Sequence, residues 1–144
     1  MKISVPVTIL NINQEGCHLL VQGWVNSIPM NLLIDTGASQ TVFDINRIKN
    51  FMDKDLMKRH QNQFTGIGSQ KIITHNIYID HFKIGDCILK NNHYPLIDLK
   101  SINDAYKTFD LPRIDGVIGG DILFDFDAEI HYKNRQLLLE QKKN

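Results

Sequence analysis

LLIDTGASQTVFD, residues Leu32 to Asp44, runs an apolar strand pattern straight into a carboxylate that is followed at once by Thr, Gly, Ala and Ser. The strand over Met30 to Ile34 carries Asp35 out of the core. Thr36 offers a hydroxyl to brace neighbouring backbone, and Gly37 permits a turn or a close backbone approach that a Cβ would block. An ordinary strand leaving the core through a turn has the same ingredients, so the rest of the chain must decide what the charge is for.

On either side of this stretch the pattern is mostly β. Ile3, Val5, Val7 and Ile9 alternate strictly, the two-residue period of a half-buried strand. Strands are predicted over Ile3 to Leu10, His18 to Val25, Met30 to Ile34, Ile72 to Ile79 and Glu129 to Lys133, with turns at Gln14-Glu15-Gly16 and Ser27-Ile28-Pro29. Ala128, Ile130 and Tyr132 with Leu137 and Leu139, around Lys133-Asn134-Arg135, read as a closing hairpin. Asp44 can N-cap a helix over residues 45 to 58 whose stripe is Ile45, Ile48, Met52 and Leu56. A second helix is predicted from Ser101, with Asp104 completing a capping box and Ile102, Ala105, Tyr106 and Phe109 as a core-facing stripe, until Leu111-Pro112 stops it. A third, short one is predicted at Gly119-Gly120-Asp121, with Asp121 in its first turn.

The 144 residues suit one domain spanning 1–144 and are too few for two lobes of enzyme size. Lys plus Arg and Asp plus Glu both number 16, and no basic stripe or acidic run points to nucleic acid or a charged membrane surface. The N-terminal apolar stretch is broken by Ser4 and Thr8 and is too short to span a bilayer, so a cytoplasmic location is expected. Cys17 and Cys87 form no CxxC motif and read as two reduced, buried thiols. The six His are scattered; His75 with His81, or Cys17 beside His18, lack metal-site spacing, and no metal is expected.

Asp-Thr-Gly alone is a weak signal. A similar string opens the phosphate loop of actin-like ATPases, whose two large lobes 144 residues cannot supply. The decisive feature is its combination with DGVIGGDIL, Asp115 to Leu123, about eighty residues downstream. IDTGAS followed by Val42-Phe43, and later two apolar residues, Gly and a short helix, resembles the retropepsin-like aspartic protease family. The resemblance implies a mainly β, retropepsin-like acid protease fold, a closed β-barrel or sandwich with two or three short helices.

It also implies one Asp-Thr-Gly per chain and a twofold homodimer in which two copies of Asp35 share a proton. Two like charges that close cannot both ionise, so one carboxyl stays protonated while the other acts as base on a water. The titration belongs to the pair. No metal, nucleotide or other cofactor is needed, and the substrate is a peptide or protein. By the same resemblance Thr36 hydrogen-bonds across the axis, Gly37 keeps backbone close to substrate, and Val117, Ile118 and Gly119 support the loop. Gly66, Ile67 and Gly68 form the tip of a substrate-covering flap. Ala38 stands where pepsin-like members often carry a hydroxyl, which implies activity nearer neutral pH.

Two departures bear on function. Ser39 and Gly120 stand where retroviral members commonly carry Asp and Arg, so a charge pair supporting dimer and cleft is missing on both sides at once. The tail after the short helix is also longer than the brief terminal strand of retroviral chains. Three classes of function follow: an active homodimeric aspartic endopeptidase; a catalytically silent retropepsin-like module that binds peptide or dimerises; and a phosphate or metal hydrolase joining Asp35 to Asp115 or Asp121. The last is disfavoured because Asp115-Gly116 reads as a turn and Asp121 as a helix N-terminal residue.

Overall fold

The computed structural model describes residues 1–59, 63–66, 69–72 and 75–142. Its strands are β1 (Lys2–Pro6), β2 (Thr8–Asn11), β3 (Cys17–Val25), β4 (Ile28–Ile34), β5 (Val42–Asp44), β6 (Met57–Arg59), β7 (Gln63–Gly66), β8 (Ser69–Ile72), β9 (His75–Ile79), β10 (Phe82–Ile84), β11 (Cys87–Leu89), β12 (Asn92–Ile97), β13 (Gly116–Ile118), β14 (Glu129–His131) and β15 (Gln136–Glu140). The helices are α1 (Ile45–Ile48), α2 (Lys100–Thr108) and α3 (Gly120–Asp125). The fold is mainly β with few short helices, as the motifs predicted.

Ten strands share one sheet, ordered β11-β10-β3-β4-β13-β5-β12-β9-β6, with β2 also on β3. Cys87 and Leu89 near one end of that order and Ile77 and Ile79 near the other lie in one buried cluster, so the sheet curls around its contents. Central strands are apolar on both faces. Leu32, Phe43 and Ile118 enter this first cluster, while Leu33, Val42 and Val117 enter a second one covered by α2 through Tyr106 and Ile102. Each fully buried large side chain contributes roughly 1.5–3 kcal/mol, and the largest are Phe43 and Phe82, which pack edge-on against each other and against Tyr94.

The chain ends form a separate three-stranded sheet, β1-β15-β14. The predicted first strand is therefore two strands. They part at Val7, whose N–H bonds Arg135 O, so that β1 pairs with the terminal β15 and β2 with β3. The predicted closing hairpin is present as β14 and β15, although β14 stops at His131. The β3–β4 turn falls at Asn26-Ser27, both at positive φ, a pattern that matches the twist of a two-residue hairpin, and Ile28 and Pro29 already belong to β4.

The helix predicted over 45 to 58 is overturned. Asp44 does cap α1, its carboxylate accepting from Asn46 N–H at 3.3 Å, but α1 ends at Ile48. Phe51 and Met52 turn inward against the core, Asp53 caps a 3-10 turn over Lys54–Leu56, and Met57 enters β6 opposite Ile77. Burial of Phe51 and strand pairing at Met57 outweigh helical propensity. Leu56, placed on the predicted stripe, is exposed. Helix α2 begins at Lys100 without a capping box: Asp98 accepts from Lys100 N–H, and Asp104 pairs with the Lys100 ammonium one turn away. The predicted strand over Ile72 to Ile79 belongs to two elements, β8 ending at Ile72 and β9 starting at His75. Cys87 is buried, which pushes its thiol up to about 11, whereas Cys17 is exposed, against expectation; both are free.

Candidate active site

The site is set by how β13 inserts between β4 and β5. It runs parallel to β4, with Gly116, Val117 and Ile118 opposite Leu32, Leu33 and Ile34, and antiparallel to β5. Gly116 is required by this close approach, because a Cβ there would sit 2.9 Å from Val42 O and from a Leu32 methyl. The pairing continues past the strand ends: Asp35 N–H donates to Ile118 O at 2.9 Å, so β13 holds the residue the apolar strand delivers.

Beyond Asp35 the chain turns tightly. Ala38 N–H donates to Asp35 O at 3.1 Å, and Gly37 N–H donates to the Asp35 carboxylate at Oδ1, 2.9 Å. Asp35, Thr36 and Gly37 are exposed, while Ala38 is buried in the second core cluster. Asp35 is therefore an oriented carboxylate on a rigid base, open to whatever approaches that face.

Gly119 and Gly120 dock on the same loop. Gly120 N–H donates to Ala38 O at 2.7 Å and Asp121 N–H to Ser39 O at 3.1 Å. This contact demands glycine at 119, where a Cβ would meet Gln40 C and O at 2.6 Å. At Gly120 a Cβ would meet nothing closer than Ala38 O at 3.5 Å, so space does not explain the missing side chain.

Thr41 and Asp121 complete the loop, and sequence reasoning missed their partnership. Fully buried Thr41 donates its hydroxyl to Asp121 Oδ1 at 2.8 Å and its N–H to the same carboxylate, and its Oγ1 accepts from Gly119 N–H at 3.0 Å. Asp121, in the first turn of α3, also accepts from Ile122 N–H, so one carboxylate ties the helix start to the loop. The only signal in the sequence was a Thr six residues after Asp35 and an Asp two after Gly119. This neutral-to-charged clamp holds the loop without the Asp-Arg pair that Ser39 and Gly120 leave out.

At the other end of β13 lies a second acidic centre. Asp44 Oδ1 accepts from Leu99 N–H and Asn46 Nδ2, and Asp115 Oδ2 accepts from Asn31 N–H at 2.8 Å. Arg113 reaches both carboxylates, and Arg47 Nε stands 3.3 Å from Asp115 Oδ1, near enough for an ion pair but not aligned for a hydrogen bond. Burial pushes the Asp115 carboxyl up, against the pull of Asn31 N–H, Arg47 and Arg113, while neighbouring Asp44 adds to the rise. Asp115 and Asp121 thus each have their own structural partners and do not join Asp35. Among the described residues no three His, Cys, Asp or Glu converge as a metal site.

A cavity of about 450 Å³ adjoins Asp35, with Leu33 and Val117 on the strand side and Ile102, Ala105 and Tyr106 of α2 opposite. The stripe read as core is therefore divided: Tyr106 is buried, Ile102 half-buried, Ala105 and Phe109 exposed. A larger hollow of about 600 Å³ lies away from Asp35, between the chain ends and β11. Strands β7 and β8 pair antiparallel with Gly66 opposite Ser69, while Ile67 and Gly68 lie outside the described residues. No helix among the described residues is long and apolar enough to cross a membrane.

The family model of the aspartyl proteases matches residues 21–122, more than half of the chain. The protein belongs to that family, and its fold is retropepsin-like. Among solved structures, a retropepsin-like aspartic protease from Rickettsia conorii superposes with a TM-score of 0.60 at 18% identity, covering 96% of this chain and 89% of that one. The retroviral protease-like domain of Ddi1 from Leishmania major gives 0.60 at 15% identity over 87% and 90% of the two chains. The EIAV protease, solved with the inhibitor HBY-793, gives 0.55 at 19% identity over 83% and 97%. No curated protein sequence matches this chain.

Proposed function

We propose that this chain is an aspartic endopeptidase that works as a homodimer, hydrolysing peptide bonds with water activated by two Asp35 carboxylates, one from each copy. The observation that carries the reading is the exposed Asp35-Thr36-Gly37 loop on a buried, glycine-docked base: one oriented carboxylate, half of an acid–base pair. Across a twofold axis one Asp35 takes a proton from water while the other, protonated, polarises the carbonyl and then helps protonate the leaving amine. Thr36 links the two loops, and β7 with β8, bracketing Ile67 and Gly68, covers bound peptide and excludes water. The domain is 1–144, the chemistry needs no metal or cofactor, and its partners are a second copy and a peptide or protein. Two free thiols suit a reducing compartment such as the cytoplasm.

The test is peptide-pool cleavage by the wild type and Asp35→Asn, with oligomeric state measured by light scattering. Cleavage lost in the variant with the dimer retained is expected; equal cleavage refutes the assignment. With Ala38 in place of a hydroxyl donor, the pH optimum is expected nearer neutrality than that of pepsin-like enzymes, and a strongly acidic optimum contradicts this. The absence of charge at Ser39 and Gly120 favours a second reading, a silent module that binds peptide without turnover; binding by wild type and Asp35→Asn alike, with no products from either, is its signature.

A further inference from the structure

Among the described residues β11 pairs with β10 alone and so ends the ten-stranded sheet. Its open side is met by a side chain instead of a strand. Ile88 N–H donates to Gln141 Oε1 at 2.8 Å, and Gln141 Nε2 donates to Ile88 O at 2.9 Å. A carboxamide thus pairs with the edge as the backbone of a neighbouring strand would, donor to acceptor and acceptor to donor. Gln141 itself lies just past β15, where its own N–H donates to Met1 O at 2.8 Å.

A hollow adjoins each face of this edge. The inner one, about 600 Å³, has Ile3, Leu89 and Phe126 among its apolar lining and the exposed carboxylates Asp80, Asp86 and Asp125 around it. The Met1 ammonium there pairs with Glu140, and Lys142 stands 3.8 Å from Asp127, which leaves Lys90 to face three carboxylates. The outer hollow, about 620 Å³, is bounded by Trp24, Lys83 and Ile88. Those three stand opposite one another in register across β3, β10 and β11, a row that ends at the edge, and Ile88, 62% exposed, lines both hollows.

We propose that β11 is a docking edge for an extended segment of a partner protein in which apolar side chains alternate with Lys or Arg, and that Gln141 is the chain's own stand-in for that segment. An added strand sends alternate side chains to opposite faces. Apolar ones continue the row beyond Ile88 on the outer face, where Lys83 disfavours a second cation. Basic ones lay their stems over Leu89 and Phe126 and bring their charges to Asp80, Asp86 and Asp125. Displacing Gln141 gives up one donor–acceptor pair between exposed groups, whereas an incoming strand supplies several. The edge lies away from Asp35 and needs no cleavage, so it serves an enzyme and a silent module alike.

The experiment titrates a fluorescein-labelled heptapeptide, Lys-Val-Lys-Val-Lys-Val-Lys, by fluorescence anisotropy onto Asp35→Asn, which leaves the probe uncut, and onto Asp35→Asn with Gln141→Ala. Removing the stand-in is expected to tighten binding by at least about fivefold, and replacing every Lys of the probe by Glu to weaken it by at least about tenfold. Methylating the backbone nitrogens of the probe's Val residues, which face Ile88 in antiparallel pairing, is expected to abolish binding and asks nothing of the protein's folding. In the Gln141→Ala protein the bound probe is expected to slow hydrogen exchange at Ile88 N–H. Affinity unmoved by Gln141→Ala, equal binding of the Glu or methylated probe, no binding at all, or exchange slowed around Asp35 with Ile88 unchanged overturns the docking edge. A Gln141→Ala protein that exceeds the wild type in mass by light scattering without probe carries a second copy on β11, which overturns the partner segment.

Discussion

Asp35 and Asp115 stand at opposite ends of the same parallel strand pair, one after β4 and one before β13, and their surroundings could hardly differ more. Asp35 is exposed, with Gly37 N–H on its carboxylate and Ile118 O on its backbone. Asp115 is 5% exposed and set among Asn31 N–H, Arg47, Arg113 and Asp44. Asp115, held by Asn31 N–H and flanked by Arg47 and Arg113, joins β4, α1 and the segment before β13, and its burial closes it to an incoming substrate. A carboxylate that is oriented but only partly satisfied is available to a substrate or to its own copy.

The largest effect is expected at Asp35. Asp35→Asn is expected to lower cleavage by about 10³-fold or more while changing unfolding free energy by no more than about 0.5 kcal/mol, as for an exposed residue outside the core. Asp44→Ala is the converse. It strands Leu99 N–H and leaves Arg113 facing Asp115 alone, so a loss of about 3 kcal/mol in urea unfolding is expected. Near-equal stability would show that the buried cluster is not a fastening.

Gly119→Ala tests the link between the ends. Its Cβ would press on Gln40 backbone at 2.6 Å and shift the loop that carries Asp35, costing about 1–3 kcal/mol by thermal or urea unfolding and reducing cleavage together with stability. Stability unaltered alongside full activity would mean that the loop does not depend on this contact.

The smallest effect is a pH dependence. Because burial raises the Asp115 carboxyl in the folded chain, its contribution is fully present below the unfolded value of about 3.9 and is lost as pH rises through the raised folded value. Asp115→Asn removes that decline, so wild type should lose stability relative to the variant as pH climbs out of the ordinary carboxylate range. Parallel stability curves would mean that Arg47 and Arg113 already compensate the burial.

Much of the site was legible because its signals are local. Asp35-Thr36-Gly37 at the end of an apolar strand and Val117-Ile118-Gly119 before a helix lie in short segments, and the structure sets them side by side. Asp44 was read correctly as a cap, but its buried bond to Leu99 N–H was not, since the partner is 55 residues away. The helix over 45 to 58 failed for the same reason. Periodicity at Ile45, Ile48 and Met52 is consistent with a helix until the demands of a distant strand, β9, are known.

Strand alternation and turn chemistry, being properties of neighbouring residues, were enough for the mainly β character, and the resemblance of two short motifs, around Asp35-Thr36-Gly37 and Val117-Ile118-Gly119, was enough for the family. Which acids are spoken for was settled by the packing of distant segments. It brought Asp121 to Thr41, Asp115 to Arg47 and Arg113, and α2 to the cavity beside Asp35. The fate of a charge depends on how much water and how many donors surround it, and that is fixed by segments far apart in the chain meeting in space.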